Sequence, residues 1–277
     1  MTIRKILESF LEEDIGTGDI TSESIISDKL EAKAEIVCKS TTPAIICGLE
    51  EAEMLFDICK CRCTALVKDG AQVKKGKPVM SITGKAHAIL KAERVALNLI
   101  MRMSGIATET KRLAKAAKGA QVLATRKTAP GLRYFDKKAV VIGGGGAHRM
   151  RLDDMVLIKD NHIALMGSPC ECIRLARKNV GSAIKIECEA KNTQEALSAI
   201  SAGADIIMLD NFSAKDAKST VRKIEKLGLR DKVKIEISGG VNLKNIGLYA
   251  RARPDFISLG YITHSAKAVD FSLEMVV

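Results

Sequence analysis

The chain has 277 residues, 47% hydrophobic and 28% charged, with a formal net charge of +11; that balance excludes a disordered chain, and the length suits one large domain or two ordinary ones. No uninterrupted apolar run exceeds four residues, far short of the roughly 20 that span a bilayer, and MTIRKILESFLEED turns acidic where a signal peptide would carry its apolar core. A soluble cytoplasmic protein is expected, and with no Trp, 3 Tyr and 6 Phe it lacks aromatic platforms for stacking single-stranded nucleic acid.

In chain order, Ile3, Ile6, Leu7, Phe10 and Leu11 form the stripe of an amphipathic helix over 1–14. A glycine-rich break, EDIGTGDITSE, follows. Short alternating segments come next near 31–39, 43–47 and 59–67, with a helix near 49–57. Cys59, Cys61 and Cys63 alternate with Lys60 and Arg62, which reads as a half-buried strand with its thiols on one face. The 8 cysteines offer no paired C-x2-C half-sites, so they read as small core residues in a reducing compartment rather than as a metal site. DGAQVKKGKPVMSITG then gives turn, strand, turn, strand. Residues 1–105 thus read as a mixed α+β domain, left by a long helix from about 86 to 117 that is interrupted near Ser104-Gly105.

From 121 onward short apolar strands alternate with amphipathic helices. Strands are expected at 121–124, 155–158, 183–187, 205–209, 233–237 and 255–259, with a seventh hidden near 137–142. Helices fall near 132–141, 169–179, 193–202, 213–227 and 242–251. This is a βα repeat of parallel strands. Its span is shorter than the roughly 250 residues of a full eight-unit barrel, which predicts a short or open α/β barrel.

Chemistry in such folds gathers at the C-terminal strand ends. Those positions carry Thr125-Arg126-Lys127-Thr128, Lys159-Asp160-Asn161-His162, Glu187-Cys188-Glu189, Asp210-Asn211, Ser238-Gly239-Gly240 and Gly260 through His264. Arg126, Lys127, Lys159 and, from the loop 143–149, His148 and Arg149 put cations around one mouth, suited to carboxylate and phosphate. Glu189 and Asp210 offer hard oxygen ligands for a Mg²⁺ that also holds a polyphosphate; the plainer alternative is pairing with those lysines. Ser238-Gly239-Gly240, ahead of a helix near 242, and Gly260 would present backbone N–H groups to a phosphate. The four-glycine run 143–146 reads as either a mobile lid or a linker. A Schiff base on Lys159 is disfavoured, because so many charges leave it no apolar pocket. Two anionic substrates account for the inventory better.

EDIGTGDITS, ERVALNLIMRMSGIAT, TRKTAPGLR, GGGGAHRMRLDD, LIKDNHI, MLDN, ISGG and GYITHS run in this order through nearly the whole chain. In these motifs the sequence resembles the quinolinate phosphoribosyltransferase family (nicotinate-nucleotide pyrophosphorylase, carboxylating). The resemblance implies an N-terminal α/β sandwich domain over 1–105, with 266–277 packing back on it, and an open seven-stranded α/β barrel over 106–265. It implies a homodimer or a higher assembly of dimers. The implied reaction transfers phosphoribosyl from phosphoribosyl pyrophosphate to quinolinate with decarboxylation, a step of NAD biosynthesis that uses Mg²⁺ and no organic cofactor.

The family's quinolinate-binding residues would correspond to Arg126, His148, Arg149 and Lys159, joined by Arg94 of the partner subunit. Glu189 and Asp210 match the acidic pair that holds Mg²⁺ and the ribose hydroxyls. Lys127 and His264 would face the phosphates, with Ser238, Gly239, Gly240 and Gly260 as backbone donors. Lys127, Lys159, Glu189 and Asp210 would carry catalysis. Departures are a fourth glycine ahead of His148, Ala147 in place of a polar residue and Arg151 in place of a glycine. Nicotinate phosphoribosyltransferases and a molybdenum-transport-associated relative share the barrel, but the complete TRKTAPG and KDNH motifs favour the quinolinate enzyme. The alternative from another class is a basic nucleic-acid-binding protein; no nucleic-acid or membrane partner is expected.

Overall fold

The computed structural model describes residues 2–276, so the first and last residues of the expected domains lie outside the described residues. Two compact units form, one from Met1–Glu109 with Ala266–Val277 and the other from Thr110–Ser265. The first unit holds α1 (Ile3–Ile15), α2 (Ile20–Ile25), β1 (Glu31–Cys38), β2 (Ala44–Ile45), α3 (Leu49–Ile58), β3 (Arg62–Ala65), β4 (Gln72–Val73) and β5 (Pro78–Lys85). The helix α4 (Ala86–Ala116) crosses the division. The second unit continues with β6 (Gln121–Leu123), α5 (Arg133–Ile142), β7 (Val156–Ile158), α6 (Asp160–Met166), α7 (Pro169–Val180), β8 (Ile186–Ala190) and α8 (Thr193–Ser201). It ends with β9 (Ile206–Asp210), α9 (Ala214–Lys226), β10 (Lys234–Ser238), α10 (Ile246–Ala250), β11 (Phe256–Ser258) and α11 (Tyr261–His264), and β12 (Phe271–Val276) belongs to the first unit. Among the described residues no helix is long and apolar enough to cross a membrane.

The first unit is built on an antiparallel sheet of order β12-β1-β5-β3. Leu7 and Leu11 of α1 and Leu55 and Phe56 of α3 are buried in its core. The glycine-rich break is shorter than the sequence suggests, because Asp19 accepts the Ser22 N–H and caps α2. Only Cys63 of the three alternating cysteines lies in a strand; Cys59 caps α3, and Lys60 turns the chain at a φ of 66°.

No interruption exists at Ser104-Gly105, where α4 is continuous. A Cβ on Gly105 would stand 1.9 Å from the carbonyl oxygen of Lys267, and nearby Val269 N–H donates to Met101 O at 2.9 Å. Glycine is needed there for the close passage of the C-terminal segment on its way to pair with β1. The buried Ser104 hydroxyl is likewise occupied, accepting the Cys47 N–H at 3.0 Å.

The sheet of the second unit is parallel throughout, in the order β6-β11-β10-β9-β8-β7. The first strand lies beside the last, which is the order of a barrel, and it is open between β6 and β7. The strand sought near 137–142 is instead helix α5, whose Phe135, Ala139 and Val140 are buried. The free edge of β6 is taken by Gly146 alone, in a single parallel bridge to Leu123. β8 begins at Ile186 rather than 183, because Arg177 gathers the carbonyls of Gly181 and Ile184 into the turn after α7. At the N-terminal strand ends a device repeats. Asp205 accepts the Ile186 N–H and pairs with Arg177 and Lys185. Asp255 accepts the Ile235 N–H and pairs with Arg230 and Lys234. These pairs hold the strand starts together at the end away from the polar C-terminal positions.

Because the Lys267 carbonyl leaves no room for a side chain, Gly105→Ala is expected to cost about 2 kcal/mol or more. Thermal unfolding beside the wild type checks this, and an unchanged midpoint would contradict it.

Candidate active site

Side chains alternate across a strand, and the strands of the second unit turn Leu157, Glu189, Met208, Asp210, Glu236, Ser238 and Ser258 into one cavity of about 330 Å³, joined by Lys159 just past β7. Ala124, Thr125, Arg126 and Lys127 after β6 close one side of it, and His148 and Arg149 close another. Five of the expected cations and both expected carboxylates therefore share one mouth. Glu189 and Asp210 are the last inward residues within their strands rather than loop residues beyond them.

The route of His148 into this cavity starts with glycine. Gly146 N–H donates to Val122 O at 2.8 Å, and Ala124 N–H donates back to Gly146 O at 3.0 Å. A Cβ on Gly145 would meet Val122 O at 2.8 Å, and one on Gly146 would meet the Leu123 side chain at 2.6 Å. Gly145 and Gly146 are thus pressed against the edge of β6, which suits neither a mobile lid nor a free linker, whereas a Cβ on Gly144 would meet nothing within 4 Å. His148 follows in the left-handed region, at a φ of 52°.

Its ring meets two acids that the strand pattern buries. Nε2 lies 3.1 Å from Glu187 Oε2 and 3.5 Å from Glu236 Oε2, with the two glutamate side chains 0% and 1% exposed. Nδ1 accepts the Arg149 N–H at 2.7 Å, so the proton shared with the acids sits on Nε2 in this arrangement. Burial works against a charged ring, but the hydrogen bonds and charges of Glu187 and Glu236 push the His148 pKa up to about 9. A second proton on Nδ1 would displace the Arg149 N–H. Burial, then the charge of Glu236, pushes Glu187 up to about 7. The ligand-type atoms of His148, Glu187 and Glu236 lie within 4.8 Å of one another; they are committed to each other as a hydrogen-bonded triad.

Elsewhere in the mouth, Lys159 Nζ donates to Glu189 Oε1 at 2.6 Å, the lysine pairing that is the plainer alternative for this acid. Lys159 N–H donates to His162 Nδ1, which makes His162 a cap of α6 rather than a site residue. Burial and the neighbouring Glu189 charge raise the Asp210 carboxyl above its ordinary range. Asn211 Nδ2 donates to Asp210 Oδ2 at 2.8 Å. A Cβ on Gly239 would fall 2.2 Å from Asn211 Oδ1, so this glycine lets the acid and its amide neighbour sit where they do. The helix expected near 242 begins only at Ile246, so Ser238-Gly239-Gly240 is the end of β10 running into a loop and not a helix N-terminus. Lys127 and His264 converge on Gly260, where a Cβ would lie 2.8 Å from Lys127 Cδ and 3.2 Å from His264 Cδ2. Thr263 Oγ1 donates to Lys127 O at 2.8 Å and holds that pairing. Gly239, Gly240, Gly260 and His264 do not line the cavity, and Arg94 lies on α4 in the first unit, its side chain 58% exposed.

Glu236, Ser258 and Lys137 are not among the residues that the sequence singles out. Glu236 sits inside the apolar run VKIEI, where an acid at an inward position is itself a signal. Among the described residues, Ser258 Oγ, Arg126 Nε and Glu236 Oε1 of the cavity lining are buried without a hydrogen-bond partner, as is Glu187 Oε1, and the three lining atoms mark the cavity as built for polar occupants. Lys137 of α5 is 1% exposed and touches only the backbone of the His148 loop among the hydrogen bonds it makes, donating to Ala147 O and Arg149 O, both at 2.5 Å.

Residues 106–274 match the family model of the quinolinate phosphoribosyl transferase C-terminal domain, and residues 19–104 match that of the N-terminal domain. The chain belongs to the quinolinate phosphoribosyl transferase family. A relative from Methanothermobacter thermautotrophicus, named probable nicotinate-nucleotide pyrophosphorylase (carboxylating), is 42% identical over 274 residues, covering 98% of each chain. The human nicotinate-nucleotide pyrophosphorylase (carboxylating) is 33% identical over 279 residues, covering 99% of this chain and 92% of its own. The nicotinate-nucleotide pyrophosphorylase structure from Ehrlichia chaffeensis superposes with a TM-score of 0.92 at 35% identity, covering 100% of this chain and 99% of its own. That from Francisella tularensis gives 0.91 at 36%, covering 99% and 96%. The two-unit α/β architecture is thus that of the quinolinate phosphoribosyl transferases.

Removing one carboxylate of the triad should lower the His148 pKa. A raised folded-state pKa adds stability that is complete below the ordinary histidine value and is lost as pH rises through about 9. In Glu236→Gln the ring should therefore titrate lower than in the wild type, and that loss of stability should begin at lower pH. Magnetic resonance of ring-labelled histidine follows it directly, and an unshifted His148 titration would contradict the triad.

Proposed function

We propose that the protein transfers the phosphoribosyl group of phosphoribosyl pyrophosphate to quinolinate, releasing pyrophosphate and CO₂ and forming nicotinate mononucleotide, in NAD biosynthesis. The observation that carries this is one cavity where Arg126, Lys127, His148, Arg149 and Lys159 face Glu189 and Asp210. A pyridine dicarboxylate needs several cations in fixed positions, and a phosphorylated sugar needs hydroxyl acceptors and phosphate donors. The names of the relatives support the same reading.

In this mechanism Arg126 and Arg149 orient the two carboxylates of quinolinate, so that the ring nitrogen faces the anomeric carbon. The nitrogen lone pair forms the new bond to that carbon while the bond to pyrophosphate breaks, its electron pair leaving with the pyrophosphate. Lys127 and His264 at Gly260 stabilise the charge that builds on the phosphates. The pyridinium then loses its 2-carboxylate as CO₂; the electron pair stays on the ring carbon, which takes a proton from solvent. Glu189 and Asp210, two mutually repelling oxygen donors at the rim, fit Mg²⁺, which would neutralise pyrophosphate charge. The reading takes the enzyme as a cytoplasmic homodimer, its pocket completed by Arg94 of the partner subunit.

Carboxyl-labelled quinolinate with phosphoribosyl pyrophosphate and Mg²⁺ should release labelled CO₂, and chelation of the metal should suppress it. Arg149→Ala should abolish quinolinate binding while leaving the fold intact. Turnover of nicotinate with no labelled CO₂ from quinolinate would overturn the reading.

A further inference from the structure

α5 presents two cations to the loop that carries His148 and Arg149. Residues four apart lie on one helical face, and Arg133 and Lys137 are such a pair. Arg133 Nη1 donates to Met150 O at 3.1 Å, and its Nε reaches Thr128 Oγ1 at 3.4 Å. Lys137 donates to the carbonyls of Ala147 and Arg149, the residues on either side of His148. The Lys137 side chain is buried and does not line the cavity. Burying an ammonium beside other cations is costly; burial and then the Arg133 charge push its pKa down to about 8. The two carbonyls it satisfies flank a non-glycine residue in the left-handed region, a conformation that persists only where its surroundings over-determine it.

We infer that Lys137 is a positioning residue for the anion-binding pair: by clamping the carbonyls of Ala147 and Arg149, it holds the His148 backbone in its strained turn and aims the imidazole and guanidinium into the cavity. The lysine touches no substrate; it acts through the two residues that do. This inference rests on the quinolinate reading for its kinetic arm only. Loss of the clamp lets the 147–149 segment relax, so the carboxylate-binding groups lose their aim, while Lys127, Gly260 and His264 on the phosphate side keep theirs. A merely structural lysine would loosen both sides alike.

Lys137→Met keeps the length of the side chain and removes both donors. It should raise the quinolinate KM by about tenfold or more while the KM for phosphoribosyl pyrophosphate stays within about twofold. Lys137→Arg, which retains donors, should recover part of that loss. Amide hydrogen exchange on the whole protein should show faster exchange confined to the peptide spanning 143–151 in Lys137→Met, whatever the substrate proves to be. Unchanged exchange there, an unchanged quinolinate KM, or an equal rise in both KM values would overturn the inference. Failure of the wild type to turn over quinolinate would sink the functional reading instead, and the exchange arm would still decide the role of Lys137. Should Lys137→Met not fold, Lys137→Gln, which can still donate to one carbonyl, replaces it in both arms, with a quinolinate KM rise of about threefold expected and none overturning the inference.

Discussion

Two carboxylates in the middle of the second unit's sheet set the terms for everything above them. Glu187 and Glu236, each essentially inaccessible to solvent, face one another from β8 and β10. Unpaired acids in such a place would cost several kcal/mol each. His148 is their shared partner, and it comes from neither strand. To deliver it, the chain after α5 must turn inward beside β6, where an eight-unit barrel would have another strand. The opening in the sheet and the buried acids are two halves of one arrangement.

That constraint propagates outward. Gly145 and Gly146 allow the backbone to lie against β6. Lys137 and Arg133 satisfy the carbonyls that the inward turn leaves without sheet partners. Arg149, the next residue, follows His148 into the cavity, its N–H 2.7 Å from the ring's Nδ1. One level higher, the next inward residues on β8 and β9, Glu189 and Asp210, reach the rim and stay polar. The cavity therefore has a floor where two buried acids share one histidine, a wall of cations and an acidic edge. An anionic ring and a phosphorylated sugar fit those three surfaces.

Much of this was legible in the sequence, and the remainder was not, for physical reasons. The six strands of the second unit stand out as short apolar runs between amphipathic helices, and reading only their C-terminal ends finds Arg126, Lys127, Lys159, Glu189 and Asp210. Boundaries were harder. The run AVVI at 139–142 suits a strand as well as a helix, and only the burial of Phe135, Ala139 and Val140 on one helical face separates the two. β8 started three residues late because of carbonyls held by Arg177, a contact between residues whose proximity no local pattern announces. Glycines misled in the same way. Gly105 looks like a helix breaker and 143–146 like a flexible run, yet at Gly105 and Gly145 another backbone passes too close for a Cβ, and at Gly146 the Leu123 side chain does. Lys137 carries no signal in the sequence, since its partners are carbonyl oxygens, which leave no trace in side-chain patterns.

The central claim is that the charge of this cavity is arranged for a dicarboxylate, with separate cations for each acid. Titration calorimetry of quinolinate and of nicotinate against the wild-type protein tests it most directly. Quinolinate is expected to bind about tenfold or more tightly than nicotinate, since each charge-assisted contact to the extra carboxylate contributes on the order of 1.5–3 kcal/mol. Equal affinities, or tighter binding of nicotinate, would contradict the account.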